Sequence, residues 1–140
     1  MNRMKKFAAS SLLLAGFCFI LFSFAKPPQE TKAWDIPAKY VSMKNAVASD
    51  AASIKAGKVL YEKHCKACHG ANGNGDTPKA KGLKMFIGDF TKGFGKQSKD
   101  GEIYYKSFVG RDKMPNFEKK ITVENERWHI VNYMKSLKTK

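Results

Sequence analysis

The feature that most constrains this chain is a five-residue run, Cys65-Lys66-Ala67-Cys68-His69. Of its 3 cysteines, Cys18 falls in an uncharged run near the N-terminus, so the rest of the chain keeps only this pair, with a histidine directly after it. Three chemistries use such thiols. A thioredoxin-like redox disulfide needs a βαβ unit beside it, and no run of β-branched residues precedes Cys65. Structural zinc takes four N or S ligands, and beyond the two thiols only His64, His69 and His129 are on offer, with no second closely spaced pair. The remaining chemistry is c-type haem attachment. There the two thiols form thioethers with two vinyl groups and the adjacent histidine reaches the iron from the same turn. The spacing favours this third reading.

Composition points the same way. With 140 residues, 43% hydrophobic and 27% charged, the chain has room for one small domain and excludes a large multidomain enzyme. The stretch from Gly70 to Gly101 is rich in Gly and Lys and poor in apolar residues, so a tethered porphyrin would supply apolar surface that the chain itself lacks.

Residues 1–25 read as a secretory signal. A basic start (MNRMKK) precedes an uncharged run over 7–24, and Ser23 and Ala25 offer small residues for cleavage. At about 18 residues the run also nears the lower limit of a membrane span, so an uncleaved anchor is the alternative. Bulky Phe17 before Cys18 argues against lipid attachment. The expected location is exported, either periplasmic or anchored to the outer face of the cytoplasmic membrane. Losing Arg3, Lys5 and Lys6 from a net charge of +14 leaves a body of 115 residues at +11. Such a body attracts an acidic docking face on a redox partner, or an anionic membrane, within a Debye length of about 8 Å. Export argues against nucleic acid, and much of the lysine surface serves solubility alone.

Residues 26–49 hold Pro27, Pro28 and Pro37 without a helical period and read as an extended arm. Either Trp34, Ile36 and Tyr40 clamp it to the domain, or it is a tether. The domain spans 50–140. Its first helix is expected to start after Asp50 as N-cap and to run to about Lys63 or into the cysteine motif itself, with Ile54, Gly57, Val59, Leu60 and Tyr61 as contact candidates, Ile54, Gly57 and Tyr61 sharing a face and Gly57 admitting another helix. The segment GANGNGDTPKAKG reads as successive turns. Asn72, Asn74 and Asp76 imitate part of a calcium loop, but Leu83 stands where that loop needs Glu. Pro78 is expected to aim a backbone carbonyl at the second ring nitrogen of His69. A short helix fits 100–109, capped by Asp100 and stopped by Gly110, with Tyr104 and Phe108 forming an apolar patch. A final helix is expected after Thr122 as cap, burying Trp128, Ile130, Val131, Tyr133, Met134 and Leu137.

An electron-shuttling haem needs a sixth ligand opposite His69. Met43 sits in the arm, Met85 lies close after His69 in sequence, and Met134 falls on a core stripe. Met114 precedes Pro115, which keeps the segment extended, and is the best placed; the alternative is that it merely fills the core. His64 and His129 are the rival imidazoles and read as structural.

Taken in order, GKVLYEKHCKACHG, the Gly-rich loop with Pro78, GRDKMPNF and WHIVNYMKSL resemble the small single-haem class I c-type cytochromes over about residues 50–138. The resemblance implies an all-α, class I cytochrome c-like fold of a few helices and long loops around one covalently attached haem c per chain. It makes Cys65 and Cys68 the attachment sites and His69 and Met114 the axial ligands. Gly57 and Tyr61 are then expected to meet the last helix near Val131 and Tyr133. The expected function is electron transfer by Fe(II)/Fe(III) cycling in a respiratory chain, without an enzymatic reaction. The alternatives are a haem-bearing subunit fixed in a respiratory complex, or a peroxide- or gas-binding protein with an open distal site. For the last, Arg111 and Asp112 stand near Met114 without the histidine that a peroxidase wants.

Overall fold

The computed structural model describes residues 33–94 and 98–137; the N-terminal run, with its signal or anchor reading, lies outside the described residues. The elements are α1 (Ala38–Val41), α2 (Ala51–His64), α3 (Lys66–His69), α4 (Pro78–Gly82), a π-helical turn (Phe90–Phe94), α5 (Asp100–Tyr104), a π-helical continuation (Tyr105–Val109) and α6 (Glu124–Ser136). Among the described residues there is no strand, only an isolated bridge between Arg111 and Met114. The fold is all-α, as the sequence led us to expect.

The central packing is α2 against α6. Asp50 accepts the Ser53 amide at 2.7 Å and so starts α2 where its cap predicts. One turn on, Gly57 lets the two helices close: a Cβ there would overlap the His129 carbonyl and reach 3.0 Å from Tyr133 Cβ. The rings of Tyr61 and Tyr133 then pack with centroids 5.1 Å apart. The contact face of α6 is therefore His129 and Tyr133, one turn apart, where the expectation was Val131 and Tyr133. Val131 is fully buried on another side of the helix. Val59, expected among the contacts of α2, is instead exposed. Around this crossing, Ile103, Tyr104, Phe108, Ile121, Trp128 and Ile130 complete the core.

Two expected caps are not formed. Asp100 pairs with Lys135 of α6 rather than capping α5, whose preceding residue Lys99 makes no side-chain cap. Thr122 is exposed, and α6 begins one residue later than a Thr122 cap requires, after Val123. Arg127 holds this end from inside. Its guanidinium donates to the Ile121 carbonyl and, at 2.6 Å, to the Tyr104 hydroxyl. The expected stop at Gly110 is present, at φ 72°.

Residues 33–49 are not an extended arm. They contain α1, and Tyr40 packs on the rings of Tyr104 and Tyr105 at 6.3 and 4.8 Å. A Cβ at Gly101 would overlap the Tyr40 carbonyl, so α5 receives α1 as closely as α2 receives α6. Asn45 donates to Asn132 Oδ1 at 2.7 Å, and Asn132 Nδ2 is shared among Ser53 Oγ at 2.8 Å and the Ala48 and Val47 carbonyls. Of the two readings of this segment, the clamp through Trp34 and Tyr40 is the one formed over residues 33–49, while residues 26–32, with Pro27 and Pro28, lie outside the described residues.

Candidate haem site

Cys65 ends α2 at φ −115°, and its carbonyl then accepts from Cys68 at 3.2 Å and His69 at 3.0 Å to form the single turn α3. Positions 65, 68 and 69 are i, i+3 and i+4, so one turn brings both thiols and the imidazole to one face. The exit from this turn is pinned at four consecutive carbonyls. Cys68 accepts from Thr77 Oγ1 at 2.9 Å, His69 from the Gly75 amide at 2.9 Å, Gly70 from the Tyr61 hydroxyl at 2.8 Å and Ala71 from the Tyr133 hydroxyl at 3.3 Å. The same α2/α6 tyrosine pair that builds the core therefore also immobilises the motif.

Cys65 and Cys68 are not joined by a disulfide. Burial, with Cys68 adding, pushes the Cys65 thiol up to about 12, so it is a neutral S–H rather than a thiolate. His69 is buried and stacks on Phe90, with centroids 4.6 Å apart and planes 25° from parallel. Burial pulls its imidazole down to about 4, leaving it neutral near pH 7 with a lone pair to donate. Its Nδ1 is buried without a hydrogen-bond partner. The carbonyl expected through Pro78 is thus not supplied; Pro78 instead opens α4, capped by Thr77 Oγ1 accepting from the Ala80 amide at 3.0 Å. Phe90 supplies the ring's support from a π-helical turn. No regular apolar period marks Phe90 among its neighbours Leu83, Met85, Phe86, Ile87 and Phe94.

Met114 lies on the turn of residues 111–114, its amide donating to the Arg111 carbonyl at 2.8 Å, and its side chain is half-buried. Asp112 takes φ 51° in that turn. The chain beyond Met114 returns to the cysteine motif. The Phe117 amide bonds the Phe108 carbonyl at 2.8 Å, and its ring meets His64 edge-on at 6.2 Å, next to Cys65. The rival ligands are engaged elsewhere or exposed. Met134 Sδ accepts from Ser107 in the core, His129 Nδ1 faces Ser53 Oγ at 2.8 Å, and Met85 is 39% exposed.

Among the described residues no group of three or more His, Cys, Asp or Glu side chains converges to hold a metal ion. Two thiols and a neutral buried imidazole on one turn fit a porphyrin, which Cys65 and Cys68 would hold through thioethers and His69 through its iron.

The sequence model of a family described as "Cytochrome C oxidase, cbb3-type, subunit III" matches residues 52–134. The match takes in the cysteine motif, the Met114 turn and α6 as far as Met134. No curated protein sequence matches the chain. Such membership implies covalently bound haem c and points to an exported or membrane-associated protein. The chain belongs to the cbb3-type cytochrome c oxidase subunit III family and is a small class I c-type cytochrome.

Proposed function

We propose that this protein is a single-haem electron carrier of a respiratory chain, in which Cys65 and Cys68 would hold haem c covalently and His69 and Met114 would ligate its iron. The observation that carries this reading is the cysteine turn, where two thiols and a neutral imidazole share a face and four successive carbonyls are locked. Haem c bound there supplies an iron that exchanges one electron between Fe(II) and Fe(III). The chain's own contribution is rigidity and electrostatics. The pinned carbonyls and the Phe90 ring hold the His69 plane, so little of the backbone needs to rearrange when charge changes. A neutral thioether at Met114 and the buried surroundings of His69 both disfavour added positive charge, which raises the potential.

Lys63, Lys66, Lys79, Lys81, Lys84 and Lys113 are all exposed in segments that flank the motif and the Met114 turn. They suit docking to an acidic redox partner. The family's description as an oxidase subunit favours a second reading, a haem-bearing subunit fixed in such a complex. Among the described residues no helix is long and apolar enough to cross a membrane. In either reading residues 1–25 carry the export signal or anchor.

The test is the visible spectrum of the oxidised and reduced holoprotein beside Met114→Ala. The methionine-to-iron band is expected in the parent and absent from the variant. A band that persists in Met114→Ala transfers the distal role to Met85.

A further inference from the structure

We propose that Trp34 is a positioning residue for Met114, acting through Arg111, and so sets how readily the distal ligand leaves the iron. The inference rests on Met114 being that ligand. Within the turn of residues 111–114 the Met114 amide donates to the Arg111 carbonyl at 2.8 Å. Asp112, Lys113 and Pro115 are exposed, and Asp112 occupies a left-handed conformation that costs a non-glycine residue free energy. Its Arg111–Asp112 ion pair is long, at 3.8 Å. Further contacts come from elsewhere in the chain. Arg111 Cζ lies 4.0 Å from the centre of the Trp34 ring, and Arg111 Nη1 donates to the Ala33 carbonyl at 2.7 Å.

Trp34 is itself seated. Its ring meets Tyr105 edge-on at 6.2 Å, Tyr105 packs on Tyr40, and the π-helical run that Tyr105 begins leads directly into Gly110 and the turn. Arg111 is thus fastened by its side chain to the N-terminal segment and by its backbone to Met114. Opening the turn requires either stretching the Met114–Arg111 bridge or lifting the guanidinium off the indole. Trp34 lies before the span of residues 52–134 that the family model matches.

Imidazole added to the ferric full-length holoprotein binds iron only when the methionine has left, so its apparent affinity reports the fraction of open turn. Removing a cation–aromatic contact of this kind is expected to raise that affinity about tenfold in Trp34→Ala. Trp34→Phe, which keeps an aromatic face, is expected to restore most of the parent value. Arg111→Gln, which also loses the bond to the Ala33 carbonyl, should open the turn at least as far as Trp34→Ala, and the double variant should be no more open than Arg111→Gln alone. It also serves if Trp34→Ala yields no holoprotein.

Urea unfolding followed by the helical signal separates local opening from general loss of stability. A rise in imidazole affinity matched by an equal loss of helical stability overturns the proposal. So does parent-like affinity in both Trp34→Ala and Arg111→Gln while Met114→Ala binds imidazole tightly. If Met114→Ala itself binds imidazole no better than the parent, the ligand assignment has failed, and this inference falls with it.

Discussion

Gly57 shows how one residue can carry information in both directions. In the middle of a helix glycine costs about 1 kcal/mol relative to alanine, so its presence there already demanded a packing reason. The structure supplies it, because a Cβ at this position would coincide with the His129 carbonyl of the crossing helix. Gly57→Ala therefore gains helix propensity and loses more to overpacking, which typically costs 1–3 kcal/mol and here meets backbone that cannot swing aside. We expect a net loss of about 2 kcal/mol, read as a lower urea midpoint at unchanged slope. His69 is the opposite case. Its place after the cysteines announced an iron ligand, but neither the orphaned Nδ1 nor the stacked Phe90 ring was legible. Both depend on where a Gly-rich loop returns, and such a loop has no period to follow.

Helix starts divide according to what competes for the capping side chain. Asp50 caps Ser53 as the local pattern predicts. Asp100 has Lys135 within reach across the fold and goes there. Thr122 lies exposed outside a helix whose first turn is held instead by Arg127 reaching back to Ile121. Asp50→Ala is accordingly expected to cost about 1 kcal/mol, while Thr122→Ala stays within about 0.5 kcal/mol of the parent. Equilibrium unfolding of the two variants side by side checks both. The reverse ranking would show that α6 draws on a Thr122 cap after all.

At the scale of the molecule, the polar contacts of Asn132 join three parts of the chain: the segment before α2, α2 through Ser53, and α6. Asn132 is buried, and Asn132→Ala strands Asn45 Nδ2 together with the acceptors on Val47, Ala48 and Ser53. We expect a loss of about 2–3 kcal/mol, since buried groups left without partners cost about 1–3 kcal/mol each and part of this set can turn to solvent. Amide hydrogen exchange should show the loss concentrated over residues 45–48, ahead of the α2/α6 core. Uniform loss of protection along the chain would instead make Asn132 an ordinary core residue.

Chain-local chemistry was enough to place two thiols and an imidazole on one turn, to start α2 at Asp50 and to select the buried stripe of α6. Each follows from spacings of three or four residues that the helical repeat converts directly into a shared face. The docking of residues 33–49, the support of His69 by Phe90 and the fastening of the Met114 turn to Trp34 came from the folded arrangement. Their partners stand tens of residues apart, and proline and glycine leave those segments without a repeat, so only the packing of the whole chain could choose between an extended tether and a bound clasp.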